Sequence, residues 1–264
     1  MNFQNTFFTS FGIIVLLVAC MSASASPIFP NSVASNDIDF VKPNDPSVFT
    51  CLAFEGTDRM EMPSKLRGGL FLDNTHIFRA NFSDGTSVPI WVDPAVGDLT
   101  EMEALAKDIA LRVGQLPTLM RDPLDHIVLN AGDHSAQEEA DGGFFMLYED
   151  NIRFRMQNHD LSETIFHESA HVSLQNEWLP TNDWAAAKAS DNGFITQYAK
   201  TDDAEDFAES ALFAYTYIKY PDRLPNNVRV AIETTILNRV EFFRNIIVDW
   251  APHVYQVGAE QSCS

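Results

Sequence analysis

The sequence predicts an α+β protein in which strand-like runs come first and helices follow. Three observations carry that expectation: short β-rich pieces across residues 51–97, an apolar helical rhythm over 98–116, and a return to strands at 125–156 before a final series of helical segments. A chain of 264 residues is long enough to bury a substantial core, as one large domain or two small ones. Hydrophobic residues make up 45% of it and charged residues 20%, a globular rather than a disordered balance.

The first 25 residues are expected to be a signal peptide. "FGIIVLLVACM" (Phe11 to Met21) is uncharged and too short to span a bilayer comfortably, and "ASA" at 23–25 offers a small-x-small cleavage site. No Lys or Arg precedes it, so the terminal amine alone supplies the positive end. Two alternatives stay open: a lipoprotein attached through Cys20, because "LVAC" resembles a lipobox, and an uncleaved anchor. If cleavage follows Ala25, the protein is secreted with two cysteines, Cys51 and Cys263. In an oxidising compartment these are expected to form one disulfide.

Residues 26–50 are rich in Pro, Ser and Asn and read as an extended leader. Within 51–97, Asp73-Asn74 and Asp84-Gly85 are turn signals that divide the strand-like runs. In 98–116, Leu99, Met102, Leu105, Ala106, Ile109 and Val113 share one helical face, and Asp98 suits the cap. "DHIVLNAG" (125–132) reads as a strand and "GGFFMLYEDNIRFRM" (142–156) as one or two more, joined by a polar loop. A helix is expected from about Ser162 to before Pro180, with Ser162 and Glu163 in its first turn. A small helix at 182–192, a longer one at 202–220 ending at Pro221, and an amphipathic one at 225–250 complete the chain, apart from a tail over 251–264.

With 17 Lys and Arg against 37 Asp and Glu, the formal net charge is −20. Such a surface repels polyanions, so neither nucleic acid nor an anionic membrane is an expected partner. The same field would favour basic peptides.

The chemistry centres on His167-Glu168-Ser169-Ala170-His171, an H-E-x-x-H motif. Residues four apart on a helix sit one turn apart on the same face, so His167 and His171 can present ring nitrogens to one ion. Glu168 falls in the neighbouring sector, where a carboxylate can take a proton from a water that zinc acidifies. Ile165, Phe166, Ala170, Val172 and Leu174 make the helix largely apolar, and two histidines buried there need partners. A catalytic zinc also needs a third protein ligand and an open position. Glu205, 34 positions after His171, can supply the ligand from the next long helix, with Asp206 and Asp203 as alternatives. Glu209, one turn on, suits the outer N–H of a ligating imidazole.

An H-E-x-x-H helix followed by E-x-x-A-E resembles the gluzincin group of zinc metallopeptidases. "YAKTDDAEDFAESALFAY" is similar, more narrowly, to the anthrax lethal factor catalytic-domain family. The resemblance covers residues 142 to about 220. It implies a zincin-like fold over 98–250 and one zinc ion on His167, His171 and Glu205. It also implies Glu168 as general base and Tyr198, seven residues before Glu205, as a donor to the oxyanion. In such proteins the strand before the active-site helix is an edge that pairs with an extended peptide. Phe144, Met146 and Tyr148 are then candidate substrate contacts, although this run can equally be core.

The function expected is a secreted zinc endopeptidase acting on peptides or proteins. Two alternatives stand beside it: a zinc hydrolase acting on a non-peptide amide, and an exported binding protein with a structural or vestigial metal site. His76, His126, His134, His159 and His253 lack metal spacing; His134 is the one placed to meet substrate.

Overall fold

The computed structural model describes residues 29–33, 38–249 and 263. The expected signal peptide, Cys20 and most of the C-terminal tail lie outside the described residues. The fold is α+β, built on a six-stranded mixed sheet in the order β1-β2-β3-β4-β6-β5.

β1 (Phe49–Ser64) and β2 (Gly69–Phe82) form a long antiparallel hairpin, and β3 (Ser87–Val92) extends it. The turn expected at Asp73-Asn74 is absent: both residues are paired, with Met60 and Arg59, and the chain reverses at 65–68 instead. Cross-strand pairing along β1 overrides the local turn propensity. The tip of the hairpin folds back over one face of the sheet. There Met62 packs with Val128, Met146 and Tyr148, and Asn130 Nδ2 donates to Pro63 O at 3.1 Å.

From β3 a short turn leads to α1 (Leu99–Val113), which Asp98 caps by accepting from Glu101 N at 3.0 Å. α1 carries the chain across to α2 (Thr118–Arg121) and β4 (His126–Asn130), which lies parallel to β3. One sheet therefore runs across the boundary expected at residue 97. The expected polar loop contains β5 (Gln137–Glu139), antiparallel to β6 (Phe144–Tyr148). β6 is thus an internal strand, paired with β4 on one side and β5 on the other, and the edge expected there is β5. The sequence after Tyr148 is not a strand but α3 (Glu149–Gln157), with Glu149 and Asp150 in its first turn.

The main core lies between the other face of the sheet and the helices. Ile90, Ile127, Leu129, Phe145 and Leu147 point into it, toward α1 and α4 (Leu161–Ala170). α4 passes through a π-helical turn, His171–Gln175, into α5 (Asn176–Trp178). α6 (Asn182–Ser190) and α7 (Asp203–Lys219) follow. The single helix expected at 225–250 is broken at Ile236 into α8 (Asn226–Thr235) and α9 (Leu237–Ile246). α7 packs against α4 on one side and α9 on the other.

The leader is not a separate extension where it is described. Phe40, Val41 and Val48 belong to the core, and Phe40 N and Val41 N donate to Glu163 Oε1 at 2.6 and 3.4 Å. Cys51 and Cys263 form a disulfide with Cα atoms 5.8 Å apart, as expected. Among the described residues no helix is long and apolar enough to cross a membrane.

Candidate metal centre

All ten residues of α4 are buried, among them Ser162, Glu163, Thr164, His167, Glu168 and Ser169. A helix enclosed on every side with this many polar groups must find partners for them inside the protein. For the two histidines the charged partner is on α7, and His171 also meets Gln175 one turn along its own helix. Asp202 caps that helix by accepting from Glu205 N at 2.9 Å, which holds Glu205 in the first turn, opposite α4.

The result is a triangle of side-chain atoms. His167 Nε2 lies 3.1 Å from Glu205 Oε2, His171 Nε2 lies 3.4 Å from the same oxygen, and the two Nε2 atoms are 3.2 Å apart. Four ligands at bond lengths of about 2.0–2.1 Å around a tetrahedral ion stand about 3.3 Å from one another. The three edges fit that spacing, and His167, His171 and Glu205 are a group able to hold a metal ion.

Both outer ring atoms face acceptors, His171 Nδ1 within a hydrogen bond and His167 Nδ1 at ion-pair distance without an aligned bond. His171 Nδ1 is 2.6 Å from Gln175 Oε1, an acceptor one turn along the helix. His167 Nδ1 is 3.3 Å from Glu209 Oε1. With protons on Nδ1, each Nε2 presents a lone pair to the same point. π-helical turns frequently occur at functional sites, and this one carries both His171 and Gln175.

The charges are coupled. Burial opposes the charged form of His167, yet the carboxylates of Glu205 and Glu209 outweigh it and raise its pKa well above the ordinary imidazole value. Burial likewise opposes the charge on His171, and Glu205 again prevails, so its pKa is raised. Burial also works against the Glu205 carboxylate, but the two rings hold its pKa far below the usual range. This is a pocket that concentrates positive charge between a carboxylate and two imidazoles, and a divalent ion meets the same demand as ring protons.

No protein-family model and no curated protein matches this chain. What the site can do follows from its own geometry.

Glu168 lines a cleft together with Thr164, His167 and Tyr198. Burial pushes its pKa up to about 7, against the pull of His167 and His171. A carboxylate near neutrality can both take and return a proton. Tyr198 is 42% exposed, and its hydroxyl donates to Glu205 Oε1 at 2.7 Å. Burial, and then the bond to Glu205, raises the phenol pKa well above its ordinary value, so it stays a donor.

The alternative ligands go elsewhere. Asp206 pairs with Arg239 at 3.0 Å on the far side of α7, and Asp203 pairs with Lys188. Among the strand residues named as substrate contacts, Met146 and Tyr148 are buried under the hairpin tip. The hydroxyl of Tyr148 accepts from Lys65 N at 2.8 Å. Phe144 stacks on His126, which lies between it and Trp91. The cleft wall on this side is formed instead by Ser135, Ala136 and Gln137, at the start of β5. His134 is half-buried beside them, its ring 5.0 Å from that of Tyr148.

Two polar residues at the centre escaped sequence reasoning. Gln175 carries a signal, being four residues after His171. Ser32 carries none: its hydroxyl donates to Glu209 Oε1 at 2.5 Å across 177 positions.

Proposed function

We propose that this protein is an exported zinc-dependent peptidase of gluzincin type, with a zincin-like catalytic fold. The observation that carries the reading is the His167–His171–Glu205 triangle, with edges of 3.1, 3.2 and 3.4 Å, beside a buried glutamate that titrates near neutrality. His167, His171 and Glu205 would hold the ion, which supplies an acidified water and polarises the carbonyl to be attacked.

The chain's own groups then have separate tasks. Glu168 Oε takes the proton of the attacking water and passes it to the departing amine nitrogen. Tyr198 Oη, released from Glu205 Oε1, donates to the oxygen of the carbonyl as charge develops there. β5, the free edge of the sheet beside the cleft, offers backbone groups to an extended chain. The Cys51–Cys263 bond supports export to an oxidising compartment.

The test is digestion of a peptide library by the purified mature protein with added zinc, run beside Glu168→Gln. Cleavage by the wild type alone is the expected result. Equal cleavage by both would sink the assignment of the base. No cleavage by either, with zinc still bound, would favour a non-peptide amide or a binding role.

A further inference from the structure

The described part of the leader reaches the metal centre. Phe29 makes a parallel bridge to Thr196, with Phe29 N donating to Ile195 O at 3.3 Å and Gln197 N to Phe29 O at 2.7 Å. One residue on, Pro30 O accepts from Tyr198 N at 2.9 Å. The Phe29 ring packs 5.6 Å from that of Phe213 on α7. Residues 29–33 therefore lie along the segment that carries Tyr198, and Asn31 and Val33 line the same cleft as Glu168.

Ser32 is fully buried at the end of this run, and so is the carboxyl of Glu209 to which it donates. The acceptor, Glu209 Oε1, is the atom 3.3 Å from His167 Nδ1. Glu209 Oε2 is buried with no hydrogen-bond partner among the described residues. The hydrogen bond that fixes the rotation of this buried carboxyl is the one from the serine hydroxyl. A ligating histidine keeps its tautomer and ring angle only if its outer acceptor is itself held.

We infer that Ser32 is a positioning residue of the metal centre, acting on His167 through Glu209, and that residues 29–33 are a lasting wall of the site. The inference rests on the metal-binding reading above. Ser32 Oγ–H donates to Glu209 Oε1, which stands 3.3 Å from His167 Nδ1, close enough to accept its N–H once the ring turns to align with the carboxylate, leaving Nε2 for the ion. A leader serving this role cannot be discarded on activation, at least as far as Ser32.

A double-mutant cycle on the full chain tests it, with zinc affinity read by competition against a chelating dye and ligand geometry read from the visible spectrum of the cobalt(II)-loaded protein. Ser32→Ala is expected to weaken zinc binding about tenfold, the lower end for loss of an outer-shell partner. In a Glu209→Gln background the same change should cost less than about twofold, because the path to His167 is already altered. The cobalt spectrum should shift for Ser32→Ala, a change in ligand geometry that a loss of stability alone would not produce. Equal losses in both backgrounds would mean that Ser32 acts on packing alone, and no loss in either would mean that it does nothing for the ion; both overturn the inference. If Ser32→Ala does not fold, Ser32→Cys, close in shape but a weak donor, takes its place in the cycle. Zinc binding by the wild type separates the two readings. Tight binding that is indifferent to Ser32 sinks this inference alone, and no binding sinks the metal centre with it.

Discussion

The Nε2 atoms of His167 and His171 stand 3.2 Å apart, and a carboxylate oxygen of Glu205 is within 3.4 Å of both. Two imidazoles cannot both carry a proton at that separation without repulsion, even though each has a raised pKa. One divalent ion replaces those protons and meets all three atoms at once. Zinc should therefore bind one ion per chain and raise the melting temperature, since anything that binds only the folded state stabilises it. His171→Ala should weaken zinc by more than about 100-fold, beyond the loss typical of an outer-shell partner. Competition titration with a chelator measures both. Equal affinity in the variant would rule out the triangle as the site.

Glu168 lies beside the triangle rather than in it, so its replacement should separate binding from chemistry. Glu168→Gln removes the proton acceptor and keeps the side chain's shape. The expected outcome is zinc affinity within a few-fold of wild type and kcat for peptide cleavage lowered by about 100-fold or more. Loss of zinc together with activity would show that Glu168 holds the metal instead.

Tyr198 is tied to Glu205 through its hydroxyl at 2.7 Å and is partly open to the cleft. A group that stabilises charge only as the carbonyl is attacked should affect kcat and leave KM nearly unchanged. Tyr198→Phe is expected to lower kcat about 100-fold. Steady-state kinetics on a single peptide decides it. A rise in KM at constant kcat would recast Tyr198 as an ordinary binding contact.

The parts that were legible share one property: their signal is local. His167 and His171 are visible because a helix places residues four apart on one face. Glu205 stands out because Phe207, Ala208, Ala211 and Leu212 mark α7 as a packed helix. What remained hidden depends on pairing between distant segments. Asp73 and Asn74 have the composition of a turn, but β1 lies alongside them and keeps β2 continuous. Residues 142–156 read as strand throughout, whereas Glu149 and Asp150, acids that suit a helix N-terminus, mark the start of α3. β5 is three residues long and gains its identity only by pairing with β6. Ser32 reaches Glu209 through the tertiary fold alone.

Glu163 gives the most direct test of how the leader is attached. It is 3% exposed, in the first turn of α4, and Oε1 accepts from the backbone of Phe40 and Val41. Burial pushes its pKa up to about 9, although the two backbone donors favour the charged form. The ordinary value, 4.5, applies to the unfolded chain. The folded state therefore holds the proton more tightly, and stability must fall as pH rises between the two values. The contribution is fully present below the unfolded pKa and is lost as pH passes through the folded one. Glu163→Gln keeps a carbonyl acceptor for Phe40 N but has no proton to lose. The variant should match the wild type near pH ~4 and exceed it at pH ~9 by more than about 1 kcal/mol, the worth of roughly one pKa unit. Urea unfolding of the two proteins at both pH values measures the difference. A variant that is less stable at both would mean that the ionised carboxylate, not the neutral acid, anchors the leader.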